Sequence, residues 1–215
     1  MCPKVTDEYR QNVRDKILAT ASSLFARSGY HATSMDDIVC ECGLSKGAIY
    51  GHFKSKEDLF LALSDKQLES IINNMRAAFS PNDSAKEKLM KAAEIHFSQI
   101  RNPDDVWCVT LEYWIESSKV PSFEKRIQKR YDLAHKFLSE IIDEGKKKGE
   151  FRKGIDSDAI SSLLLATVRG LAVHMRMGAE FDWEKIKGAL LVVLFDGMLA
   201  DKQTQKGSSS INNQL

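Results

Sequence analysis

No apolar run in this 215-residue chain approaches the ~20 residues that a bilayer-spanning helix needs, and the first residues are polar and unlike a secretory signal. A cytoplasmic protein with no membrane association is expected. Cysteine is scarce: Cys2, Cys40, Cys42 and Cys108 are too few and too irregularly spaced for a disulfide framework. No cluster of Cys and His completes a four-ligand set, so reduced thiols and no metal site are expected. Neither sign of charge dominates, since 31 Lys and Arg face 30 Asp and Glu. Bulk charge therefore gives no pointer to a polyanionic partner, and any such pointer must come from local placement. Nucleophile–base pairs, phosphate-cradling glycine loops and metal-ligand spacings are missing as well, which weighs against an enzyme and against a bound cofactor. Glycine and proline are few, at 12 and 4, and no segment alternates apolar and polar residues with period two. What remains is an all-α chain.

The helical stripes are easy to follow. Val13, Ile17, Ala21 and Leu24 mark a first helix ending near Gly29. Met35, Ile38, Val39 and Cys42 mark a short second one, opened by Thr33 or Ser34 as N-cap, with Ser34 and Asp37 spaced as a capping box and Gly43 as the breaker. A third short helix begins after Ser45, a good N-cap, and runs to about His52. The next starts within Lys54–Glu57 and carries Leu61, Leu68, Ile72, Met75 and Phe79. Beyond the turn signal Ser80-Pro81-Asn82-Asp83 the spacing predicts helices at about 83–101, 104–118, 121–148, 156–178 and 182–202. Thr204–Leu215 has the composition of a disordered tail. The domains expected are 1–57, 58–203 and the tail 204–215.

Three helices of which the last two are short and joined by a tight turn at Gly43-Leu44 have the proportions of a helix-turn-helix. In the third, Ile49 and Phe53 stand one turn apart and should face the core, leaving Lys46, Gly47, Tyr50 and Gly51 outward. An outward glycine in a short helix costs about 1 kcal/mol of helix stability relative to alanine. Close approach of another backbone, such as that of DNA in the major groove, gives such a position a use. Between Leu44 and Lys56 the only charged side chains are Lys46, Lys54 and Lys56, joined by His52. Tyr50 and His52 are able to donate to phosphate oxygens, and Lys56 sits at the start of the next helix, where a phosphate is also favoured. Each of these residues alone also suits an ordinary surface; their order together favours DNA.

The stretch from Ala32-Thr33-Ser34-Met35-Asp36-Asp37-Ile38-Val39 through Gly43-Leu44-Ser45-Lys46-Gly47-Ala48-Ile49-Tyr50-Gly51-His52-Phe53-Lys54-Ser55-Lys56-Glu57-Asp58-Leu59 closely resembles the signature of the TetR (tetracycline repressor-like) family. The resemblance covers about residues 10–62. It implies an N-terminal three-helix DNA-binding domain, a fourth helix leading to a larger ligand-binding and dimerisation domain, and a homodimer. By matching position it places Thr33 or Ser34, Tyr50, His52 and Lys56 on phosphates, and Lys46, Gly47 and Ala48 nearest the base edges with Tyr50 beside them. Ser45 caps the reading helix. Ala48 stands where the family often has a hydroxyl, and Gly51 where it often has a larger side chain. Direct base readout should therefore be sparse, with Lys46 the main candidate for a guanine contact.

The last two helices are unusually apolar, with Leu163-Leu164-Leu165-Ala166 and the run 189–195 leaving little polar face. Helices of that kind must be covered on several sides, and a second subunit is the natural cover. Leu163, Ala166, Gly170, Leu190 and Leu194 are the expected interface residues, and the resemblance, through the four-helix bundle by which the family dimerises, points the same way. A two-fold dimer requires a near-palindromic stretch of double-stranded DNA. In the middle of the chain, Phe97, Trp107, Tyr113 and Trp114 surround Glu112 in sequence. They suit either a pocket for an amphipathic or cationic small-molecule effector or an ordinary aromatic core. Arg169 and His174 interrupt the apolar run of their helix and suit either an acidic ligand or interface hydrogen bonds. Here the resemblance is weaker and points to the BetI/AcrR-type branch.

The reading that unites these features is a transcriptional repressor released from its operator by a small hydrophobic or amphipathic effector. Two alternatives share the same sequence: a constitutive DNA-binding protein without an effector, and a helical interaction adaptor that has lost DNA binding.

Overall fold

A computed structural model describes residues 6–100 and 121–198, and every described regular element is helical. In order they are α1 (Asp7–Ser28), α2 (Met35–Cys42), α3 (Lys46–His52), α4 (Lys56–Ala77), α5 (Ala85–Ile100), α6 (Pro121–Lys147), α7 (Ser157–Arg176) and α8 (Trp183–Leu190). The helix then continues without a break into a wider π-helical segment over Leu191–Asp196, and the end of the helix expected at about 182–202 lies outside the described residues. The helix expected at 104–118 and the tail lie outside the described residues.

Short-range hydrogen bonds set the starts. The Thr6 hydroxyl accepts from the Tyr9 N–H at the head of α1. At α2 the N-cap is Ser34: Asp37 N donates to its hydroxyl at 3.1 Å and Ser34 N donates to the Asp37 carboxylate at 2.8 Å, a full capping box. The Ser45 hydroxyl accepts from Ala48 N at the head of α3, and Ser55 does the same for Asp58 N at α4. Gly43 closes α2 at φ 65°, a left-handed conformation that lets the chain turn sharply into α3.

Two compact units divide the chain, residues 1–73 with 96–131 and residues 74–95 with 132–215. The first unit buries Ile17, Ala21 and Phe25 of α1 with Ile38 and Cys42 of α2, Ile49 and Phe53 around α3, and the run Leu59–Leu63 of α4. The rings of Phe25, Tyr30 and Phe60 meet within 5.1–5.6 Å of one another and fix the loop between α1 and α2. On α4, Asp65 receives Arg126 at 3.0 Å and Arg130 at 3.3 Å, and Asp58 receives Arg126 at 3.5 Å while also accepting from Lys54 N. The second unit buries Ala85, Leu89 and Ala92 of α5, Ile141 and Ile142 of α6, and Phe151. Gly145 is obligatory there, because a Cβ would run into the Phe151 ring and Ala85. The basic run after it ends the helix, with Lys148 bound to Glu144 at 2.7 Å.

Candidate nucleic-acid interface

The geometry around α3 follows from two buried side chains. Ile49 and Phe53 are sealed into the core, so the rest of this seven-residue helix is presented outward. Lys46, Gly47, Tyr50 and Gly51 are all exposed, Ala48 and His52 half-buried, and Ser45 is exposed as the cap. A Cβ built at Gly47 or Gly51 meets nothing within 4 Å, so both glycines leave open space on the face that a double helix would approach. The turn at Gly43 and the cap at Ser45 hold that face in place without using any of its side chains.

Other residues expected at the interface are placed differently. Thr33 is only 2% exposed, and its hydroxyl donates inward to the Gly29 carbonyl at 2.8 Å. Its neighbour Ser34 takes the exposed capping position instead. The hydroxyl and then the N–H of Ser34 hold the Asp37 carboxyl below its ordinary pKa. Lys56 also turns inward. Its ammonium donates to the carbonyls of Tyr30 and Thr33, both at 2.8 Å, and to that of His31 at 3.5 Å, and it lies 4.3 Å from the centre of the Tyr30 ring. Burial lowers its pKa from the ordinary lysine value, with the nearby Glu57 charge acting the other way. These contacts describe a strut between the head of α4 and the loop joining α1 to α2.

Lys46, the expected guanine reader, is bound to Asp36 of α2 at 2.7 Å, with both side chains largely exposed. The hydrogen bond to Asp36, and then its charge, raise the Lys46 pKa. A base contact by Lys46 therefore requires exchange of the Asp36 partner for the DNA. Replacing Asp36 with Asn removes both the competing partner and a negative charge from the exposed surface beside α3. Affinity for mixed-sequence duplex should rise by about three- to fivefold, the size of an exposed charge pair. Titration of labelled duplex at two salt concentrations measures it, and unchanged affinity would place Lys46 away from the DNA.

Two arginines of α1, not singled out by their sequence context, border the same face. Arg10 and Arg14 stand one turn apart and face α3 across a groove of about 490 Å³, lined also by Gly47, Ala48, Gly51 and His52. Arg14 is steadied by the Phe53 ring, 4.5 Å from its guanidinium carbon. The arginine spacing was visible, but nothing local announced that α1 would cross beside α3.

Phe97 is buried in the first unit, while in the second Arg169 is half-buried and His174 exposed. Trp107, Glu112, Tyr113 and Trp114 lie outside the described residues, as does the side chain of Leu194. Leu163 and Ala166 are exposed, and Gly170 and Leu190 half-buried. No helix among the described residues is long and apolar enough to cross a membrane.

Comparison with known proteins agrees with this geometry along most of the chain. Residues 17–63 match the profile of bacterial regulatory proteins, tetR family, and residues 64–194 match that of the YsiA-like protein, C-terminal region. The fatty acid metabolism regulator protein of Bacillus subtilis is 26% identical over 185 residues, spanning 85% of this chain and 94% of that protein. The HTH-type transcriptional repressor KstR2 of Mycolicibacterium smegmatis is 24% identical, spanning 86% and 90%. Among solved structures, a putative transcriptional regulator from Saccharomonospora viridis in complex with choline superposes with a TM-score of 0.75 at 26% identity, covering 89% of this chain and all of the other.

Proposed function

The chain belongs to the tetR family of bacterial regulatory proteins, and from that premise we propose that it is a dimeric repressor that leaves a near-palindromic operator when a small hydrophobic or amphipathic effector binds. The observation that carries the reading is the outward face of α3: Lys46, Gly47, Tyr50 and Gly51 are presented on a helix whose opposite side is fully anchored. Phosphate contacts from Tyr50, His52 and Ser34 would position that helix, and Lys46 and Ala48 would meet the bases. Residues 1–57 then form the DNA-binding part and 58–203 the effector-binding and dimerisation part.

Dimerisation is supported by a seam on α7. Leu163, Ala166, Gly170, Val173 and Met177 recur at alternating steps of three and four, the spacing of a helix-packing stripe, and Leu163 and Met177 are 55% and 79% exposed in the single subunit. Val192 and Val193 add further exposed apolar surface. The effector class rests on the aromatic residues named above and on relatives that include a fatty acid metabolism regulator and a choline-bound regulator. Coupling from the effector to α3 would run through the ion pairs between α6 and α4. Arg126 of α6 grips Asp58 and Asp65, and Asp58 holds Lys54 N in the turn that follows α3.

Selection of bound duplexes from a random pool tests the reading. The expected result is a two-fold site with half-site centres about 34–36 Å apart, one helical turn, bound more weakly when an effector raises the protein's melting temperature. Failure to enrich any two-fold site would overturn it.

A further inference from the structure

We propose that the groove between α1 and α3 seats a strand of the DNA backbone, with Arg10 as its phosphate ligand and Arg14 as its fixed basic wall. The inference rests on the DNA-binding reading and adds to α2 and α3 a third contacting element that neither the turn nor the reading helix contains.

The first turns of α1 put Asp7, Arg10, Gln11 and Arg14 on one side, at steps of three, one and three, and all four line the groove. Two arginines against one carboxylate leave the α1 wall positive. Gln11 does not add to the charge; its amide donates to Asp15 at 3.2 Å, and Asp15 is itself neutralised by Lys66. Arg14 lies against the Phe53 ring, which is buried, so its guanidinium stays at the wall without a search over rotamers. Arg10 is exposed one turn nearer the helix start, free to follow a phosphate.

The opposite wall is kept low by composition. Gly47 and Gly51 lie on successive turns of α3 and with Ala48 keep that wall low, His52 being the one larger α3 side chain that lines it. Two glycines weaken a seven-residue helix by about 1 kcal/mol each. Space within reach of two guanidinium groups, and continuous with the reading face of α3, has the charge and the access that a sugar–phosphate strand requires.

The test compares four full-length proteins on a mixed-sequence duplex over a range of salt: wild type, Arg10→Gln, Gly51→Gln and Lys185→Gln. The last removes an exposed cation from α8, remote in sequence, and controls for net charge. Each phosphate ligand removed lowers the slope of log affinity against log salt by about 0.9, so Arg10→Gln in a dimer should lower it by about 2 and weaken binding roughly tenfold or more near physiological salt. Gly51→Gln extends into the groove and should weaken binding at least as much, while its melting temperature stays at or above that of wild type, since a Cβ there meets nothing within 4 Å and glutamine favours the helix over glycine. Arg10→Gln with the same affinity and slope as Lys185→Gln would overturn the proposal. A wild type that does not bind duplex at low salt would instead overturn the DNA-binding reading itself.

Discussion

Replacing Lys56 with Met is expected to unfasten the DNA-binding unit and not merely to free one phosphate. The ammonium makes hydrogen bonds to three carbonyls of one loop, those of Tyr30, His31 and Thr33, and stands over the Tyr30 ring. Methionine keeps the apolar stem and removes all of this, leaving part-buried carbonyls without a donor. A hydrogen bond to a charged group contributes about 1.5–3 kcal/mol and an exposed cation–π contact about 0.5–1 kcal/mol. These terms overlap, and the group is only partly shielded, so a net loss of about 2 kcal/mol is the reasonable figure. For a unit of this size that lowers the melting temperature by roughly 8–16 °C. Amide exchange should accelerate over residues 29–34, where the strut ends, and DNA affinity should fall with little change in salt slope. The opposite pattern, an unchanged melting temperature with a slope lower by about 2 per dimer, would make Lys56 a phosphate ligand and not a strut.

Lys56 also marks the boundary of what the sequence displays. Features set by neighbours within four or five residues were legible: the Ser34–Asp37 capping box, the break at Gly43, the inward pair Ile49 and Phe53, and the outward Lys46, Gly47, Tyr50 and Gly51. Their causes are periodicity and local hydrogen bonding, which spacing encodes directly. What was not legible depends on partners far along the chain. Lys56 reaches back to the carbonyl of Tyr30, and Arg14 reaches the ring of Phe53. The choice between Thr33 and Ser34 as N-cap of α2 was hidden in the same way, because Thr33 is drawn inward to the Gly29 and Leu24 carbonyls at the end of α1. Basic and hydroxyl side chains suit both intramolecular struts and phosphate contacts, and the intramolecular partners depend on how the helices pack. The groove beside α3 is hidden for the same reason: its two walls come from segments about thirty residues apart in sequence.

The seam on α7 carries the other large effect. Leu163→Glu is expected to split the dimer while leaving each subunit folded. Because Leu163 is 55% exposed in the single chain, a carboxylate there stays in water and disturbs little of the subunit's own core. In a two-fold interface the same change enters twice, once from each subunit, and two carboxylates are forced out of water beside an apolar stripe. Burying unpaired charge costs several kcal/mol per group, more than a seam of this length supplies. Sedimentation should then give the mass of one chain at concentrations where the wild type gives two. Operator binding should fall further than any substitution on α3 would cause. Two reading helices held in one dimer act at an effective concentration in the millimolar range, and unlinking them forfeits about 10² to 10⁴ in affinity. The loss should be confined to two-half-site DNA, with binding to a single half-site unchanged, since the α2–α3 face is untouched. Val173→Glu, on the same stripe, should repeat the result. A Leu163→Glu protein that sediments as a dimer and binds its operator normally would place the subunit contact on another surface.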